Sequence, residues 1–242
     1  MNVSVLHAIQ QRHSSRLGFE VGRSVSESDL QKMLEAAQAA PTFANAQDFE
    51  LVVVDNPQML RQICELPGDI SKEYVHANFE HVHFQAELGA EQRIGLLAHD
   101  SAAEQLSDGQ WSSRKNLSQQ LSMLGLQLDS HQTLIFGVSD LNRYRTGSTA
   151  ERLTLMSLGC VIENLWLAAE AIGLGFNMLT ILCDGPTQHR LKPILHLPAA
   201  MEIAFVCAVG YPKQVESRKT ARRTLEEFVH RGVYPSAAQT AA

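Results

Sequence analysis

The sequence predicts an α+β fold in which helices pack on a modest sheet. Three observations carry that prediction. Residues 157–176, SLGCVIENLWLAAEAIGLGF, are apolar at helical spacing and small or apolar at most other positions, as a helix inside a core must be. Four short apolar runs read as buried strands: 49–54 (FELVVV), 133–139 (TLIFGVS), 177–182 (NMLTIL) and 202–209. Strands and helices do not alternate strictly along the chain, as they would around a parallel sheet.

The elements follow in order. Residues 3–11 predict a short helix with Val5, Leu6 and Ile9 on one face. Ser26 with Asp29 forms a capping pair, Asp replacing the usual Glu, and opens a helix through Leu30, Met33, Leu34 and Ala37. Pro41 stops it. A polar loop, 41–48, leads into the first strand. Asp55-Asn56-Pro57 is a turn, and Pro57 suits the first position of a helix reaching Glu65. From 67 to 132 lie polar helical stretches, around 73–88 and 113–128, broken near Gly109. This reads as an inserted helical region or lid on a single domain spanning 1–235. After the second strand come the long apolar helix, its C-cap at Gly173-Leu174-Gly175, the third strand, a short helix at 189–195 and the fourth strand. Gly210-Tyr211-Pro212 ends that strand. A Lys/Arg-rich stretch at 218–223 and a helical turn at 225–230 follow, and 236–242 is expected to fray.

Composition narrows the class. Of 242 residues, 45% are hydrophobic and 19% charged, as in a soluble globular protein. A net charge of −6 argues against a nucleic-acid partner, which needs concentrated positive charge. The four cysteines show neither C-x-x-C nor zinc spacing, which fits a reducing cytoplasm. The N-terminus lacks a signal-peptide core. Glu163, Asn164 and Glu170 interrupt the long helix, so no membrane span is expected.

Several motifs point nowhere. Gly173-Leu174-Gly175 lacks the third glycine of a dinucleotide fingerprint and sits between helix and strand in the wrong order. His76, His81, His83 and Glu80 read as a solvated polar helix rather than a metal site, since His81 leaves the face shared by the other two histidines. No metal is expected.

Three weaker signals gain weight together. Arg12-His13-Ser14-Ser15-Arg16 offers two guanidinium groups and two hydroxyls, enough to bind a phosphate, although it equally suits an ordinary basic helix end. In the loop 41–47, PTFANAQ, Asn45 and Gln47 each carry a donor and an acceptor able to read a flat heterocycle, or to satisfy the turn's own backbone. Arg222-Arg223, near Arg218 and Lys219, forms a second basic cluster. Together they could meet around one anionic, planar cofactor.

This ordered set resembles the nitroreductase family of flavin mononucleotide (FMN) enzymes. The matching pieces are Arg12-His13-Ser14-x-Arg16, LEAAQAAPTFANAQ before a valine-rich strand, ENLWLAAEAIGLGF, Gly210-Tyr211-Pro212, and the arginines before Leu225-Glu226-Glu227. They cover roughly 5–65 and 133–230. The resemblance implies a mostly antiparallel central sheet flanked by helices, and a homodimer with flavin at the interface. It implies FMN contacts from Arg12, His13, Ser14 and Arg16, and from Arg222 and Arg223. It also implies contacts from Pro41, Thr42, Asn45 and Gln47, often across the interface, and from Thr180, Ile181 and Leu182. Phe43 and Trp111 are expected to wall the substrate pocket. Arg16 is the first candidate to place positive charge by the flavin's pyrimidine edge.

The implied activity passes reducing equivalents from NADH or NADPH to a small electron-poor acceptor, a quinone or nitroaromatic, in a ping-pong cycle. The flavin's N5 carries the chemistry and no catalytic side chain is required. Three departures stand out: 67–132 is unfamiliar, where the family's inserted helices set substrate choice; Asp48-Phe49 follows Gln47 where many members have Pro and an aromatic; and Leu182-Cys183 stands where many have Glu-Gly. They leave room for a flavin-binding sensor or store without efficient turnover, or for a specialised flavin oxidase or dehalogenase-like member. The related dimethylbenzimidazole-forming subgroup carries an acid where this chain has Ser14.

Overall fold

The structure, a computed structural model, describes residues 4–68, 116–123, 127–129, 131–140, 143, 146–213 and 222–234. Its strands are β1 (Glu50–Val54), β2 (Thr133–Ser139), β3 (Gly175–Met178) and β4 (Glu202–Gly210). They form one sheet in the order β1-β2-β4-β3, with every pairing antiparallel. Its helices are α1 (Val5–Gln11), α2 (Glu27–Gln38), α3 (Pro57–Cys64), α4 (Leu117–Met123), α5 (Thr149–Ile172) and α6 (Gly185–Ile194). The predicted helices at 73–88, with His76, His81 and His83, and Trp111, Arg218, Lys219 and the tail 235–242 lie outside the described residues.

The sheet is covered on both faces, which is why TLIFGVS is apolar throughout and buried throughout. Leu134, Phe136 and Val138 of β2 face a cluster with Leu60 and Ile63 of α3, Leu117 and Leu121 of α4, and Leu191 of α6. Ile135 faces the other way, with Cys207 and Val209, toward Met33 and Ala37 of α2 and Val161 and Leu165 of α5. The alternation slips once. A register shift falls between Gly137 and Val138, whose partners are Phe205 and Ile203. A side chain at Gly137 has no room, because its Cβ would lie 2.0 Å from the Phe205 ring.

Local capping follows the sequence closely in two helices. The Ser26 hydroxyl accepts from the Asp29 amide at 3.1 Å, and Asn56 caps α3 with Pro57 in its first turn. In α5 the start lies at Thr149, well before 157. Ser148 caps the Glu151 amide, a Ser-x-x-Glu signature. The helix stops where expected, at Gly173 with φ 78°, a left-handed position that glycine takes without strain.

Several expectations need correction. First, α5 is not buried all round. Its buried stripe is Thr154, Ser157, Leu158, Val161, Leu165 and Ala169, whereas Met156 is 67% exposed and Leu155 nearly half exposed. The sheet and α2 cover only one side of it within a chain. Second, Glu163, Asn164 and Glu170 do not keep α5 from being long and apolar enough to cross a membrane by length and composition alone; its buried stripe packs on α2 and the sheet. Third, Val5, Leu6 and Ile9 of α1 face solvent, and only Ala8 is buried. Fourth, 177–182 is not one strand. β3 ends at Met178, and Thr180–Cys183 is a 3-10 turn. Leu179, Ile181 and Leu182 all enter the same cluster, which a strand's alternation cannot achieve. The following helix also begins at Gly185, earlier than expected, with a proline in its first turn.

Candidate functional site

The N-terminal segment is threaded between α5 and the open edge of β3. Ser14 bridges Phe176 in parallel, and the Ser15 amide donates to the Phe176 carbonyl at 2.8 Å. Phe19 is buried beside the β4 end, where Gly210 leaves it space: a Cβ there would lie 2.5 Å from the Phe19 ring. Gly175 likewise makes room for Ser15. These contacts fix the backbone of 14–19, and with it the origin of the basic side chains.

Arg12 is the best-defined of those side chains. Its Nε donates to Glu163 Oε1 at 2.8 Å, and its guanidinium carbon lies 4.9 Å over the Trp166 ring. Trp166 is itself stacked on Phe176, centroids 5.0 Å apart, and its Nε1 donates to the His13 carbonyl at 3.1 Å. His13 Nδ1 lies 3.2 Å from the Gln11 carbonyl and 3.9 Å from Glu170 Oε2. Glu163, Trp166 and Glu170 thus form one outward edge of α5 that receives the Arg12-His13 dipeptide. The two terminal nitrogens of Arg12 have no hydrogen-bond partner among the described residues. Ser14 is half-buried and Arg16 is exposed.

The loop 41–47 is held tightly although it is exposed. The Phe43 amide donates to Ser157 Oγ at 2.9 Å, the Gln47 amide to Thr42 Oγ1 at 3.1 Å, and Gln47 Nε2 to Asn45 Oδ1 at 3.1 Å. Ala44, Asn45 and Gln47 all have positive φ, between 48° and 54°, a costly backbone for residues with a Cβ. Asp48 is an anchor: its carboxylate accepts from Thr154 at 3.2 Å and its carbonyl from Ser139 at 2.6 Å. Both residues of the carboxamide pair are exposed, and their mutual bond leaves Asn45 Nδ2 and Gln47 Oε1 unused. Phe43 is 55% exposed, so nothing described packs fully over it.

One chain does not bring these two clusters together. The loop is tied to Ser157 and the basic segment to Trp166, nine positions apart on α5. At 3.6 residues per turn that separation is about two and a half turns, so Ser157 and Trp166 point to opposite sides of the helix.

The 3-10 turn leaves Thr180 exposed while burying the side chains of Ile181 and Leu182 completely, so those two can offer only main-chain groups. The Leu182 amide is already donated to the Leu179 carbonyl at 2.9 Å. Burial pushes the Cys183 thiol up to about 12 and the Cys207 thiol further, so neither is a nucleophile near neutral pH. Arg222 and Arg223 are exposed. Arg223 lies 5.4 Å over the Phe228 ring, on a segment capped by Thr224 and Glu227.

The basic segment suits the phosphate end of a planar cofactor, with a forked cation whose terminal nitrogens are open and a hydroxyl and a second cation next in the chain, while the loop 41–47 offers carboxamides on the other side of α5. A model of the nitroreductase family matches residues 9–211. The chain belongs to the nitroreductase family. A relative from Staphylococcus haemolyticus, named an NADPH-dependent oxidoreductase, is 25% identical over 97% of this chain and 76% of its own. The solved structure of NfrA1 from B. megaterium superposes with a TM-score of 0.62 at 18% identity, covering 98% of this chain and 78% of that one. A protein from Desulfovibrio desulfuricans, assigned as a nitroreductase and solved in complex with FMN, gives a TM-score of 0.57 at 20% identity, covering 97% and 100%.

Sequence reasoning missed the residues that hold the candidate segments rather than belong to them: Ser157, Thr154, Glu163 and Trp166. Glu163 was visible only as an acid interrupting an apolar helix. Its partner lies 151 residues away, a separation no local pattern spans.

Proposed function

We propose that the protein is an FMN-dependent oxidoreductase that draws on NADH or NADPH and reduces a small electron-poor acceptor such as a quinone or a nitroaromatic. The observation that carries this reading is Arg12, fixed by Glu163 and Trp166 with its terminal nitrogens open, in a segment that also holds Ser14 and Arg16. The S. haemolyticus relative's name and the FMN in the D. desulfuricans protein support it.

When bound, FMN supplies the two-electron chemistry, accepting a hydride from the nicotinamide and passing reducing equivalents on. Arg12, His13, Ser14 and Arg16 bind the phosphate and ribityl end, joined by Arg222 or Arg223. Asn45 Nδ2 and Gln47 Oε1 read the polar edge of the ring, with Pro41 and Thr42 shaping the loop and Phe43 walling the acceptor space. Thr180, Ile181 and Leu182 offer main chain. Because α5 separates the loop from the basic segment, the loop comes from a second copy, so the working unit is a homodimer. Its exposed apolar residues, Leu6, Met156 and Leu155, suit that association. The free cysteines suit a reducing cytoplasm.

The test is anaerobic mixing of the FMN-loaded protein with NADH or NADPH, followed by quinone and nitroaromatic acceptors. The flavin's visible absorbance should fall on mixing and return with acceptor. Persistent colour would favour the flavin-binding store, an outcome to which the internally bonded Leu182 amide lends weight. Failure to take up FMN at all would overturn both readings.

A further inference from the structure

Glu163 presents a physical contradiction. A carboxylate 2.8 Å from Arg12 stands beside a site read as anion-binding, where its charge opposes the ligand. A bare repulsive charge would be a liability there. The geometry explains its presence differently. Glu163 engages only Nε, the inner nitrogen of the guanidinium. Trp166 takes the flat face, and Trp166 is in turn stacked on buried Phe176. One contact fixes the direction of the plane and the other its tilt. Together they leave the two-pronged outer edge of Arg12 as the part that can receive a ligand. That edge matches two oxygens of a phosphate monoester, a pairing that depends on orientation as well as charge.

We propose that Glu163 is a positioning residue that presets Arg12 for a phosphate monoester, and so makes the site select FMN over riboflavin, which lacks the phosphate. This rests on the reading of the site as a flavin site. Glu163 touches no ligand; it acts through Arg12. Its contribution is therefore confined to the phosphate end and independent of the ring.

The experiment titrates flavin-free protein with FMN and, separately, with riboflavin, following quenching of flavin fluorescence. Glu163→Leu removes the acceptor and should weaken FMN binding by at least about tenfold while leaving riboflavin affinity unchanged. Glu163→Gln removes the charge but keeps an acceptor for Nε, and should bind FMN within a few-fold of the parent. Should the Leu variant fail to fold, Glu163→Asp, which withdraws the carboxylate by one methylene, should show the same loss confined to FMN. Equal losses for FMN and riboflavin in either variant would overturn the proposal, since the acid would then serve only the fold. So would FMN affinity at or above the parent's in Glu163→Leu, which would make the carboxylate a repulsive charge and nothing more. A parent protein that binds neither flavin would sink the flavin reading itself, a result distinct from a failure of Glu163.

Discussion

Arg12 shows how much one side chain is asked to do. It leaves α1 as its C-cap, pairs with Glu163, covers Trp166 and still presents two donors. Lysine cannot reproduce this, having neither an Nε–H for Glu163 nor a planar fork. Arg12→Lys is therefore expected to keep the charge yet bind FMN at least about tenfold more weakly, by calorimetry. Residues 12–16 were legible as a phosphate candidate because two cations and two hydroxyls fall within five positions. What orients them was not, because Glu163 and Trp166 reach the segment only after the chain has folded α5 against the β3 edge. Asp48 shows the reverse. It read as a departure from the family pattern, and the structure gives it a structural task, binding Thr154 and Ser139.

Among the elements, those whose signals are local were read correctly and those set by packing were not. β2 and the caps of α2 and α3 follow from apolar runs and cap residues that sit side by side. The 3-10 turn at Thr180–Cys183 does not, because an apolar string of that length suits a strand until the buried cluster claims three of its side chains. Two predictions belong at this scale. Gly137→Val would drive a side chain into Phe205 in the middle of the sheet, and is expected to cost about 1–3 kcal/mol or more in urea unfolding. Asp29, in the first turn of α2, is hydrogen-bonded by Lys32, Ser26 and the Tyr211 hydroxyl, which hold its carboxyl below the usual range. A lowered folded pKa means this stabilisation is fully present above the unfolded value and fades as pH falls through the folded one. Unfolding midpoints measured down the acid range should accordingly drop less steeply for Asp29→Asn than for the parent.

At the scale of the whole molecule, the described residues of one chain form a two-sided core but leave the two candidate cofactor segments apart. Its sheet is covered on both faces, yet α1 and the outer side of α5 leave Leu6, Leu155 and Met156 in solvent, and the described C-terminal segment is exposed along its length with Leu225, Val233 and Tyr234 on it. The carboxamide loop and the basic segment sit on opposite sides of α5. The proposed homodimer would answer both features at once, covering the apolar surface and bringing a loop to each basic segment. The most direct measurement is native mass spectrometry of the FMN-loaded protein. The expected species is two chains carrying two FMN molecules, with flavin lost when the chains separate. A single chain retaining one FMN at full occupancy would contradict the account.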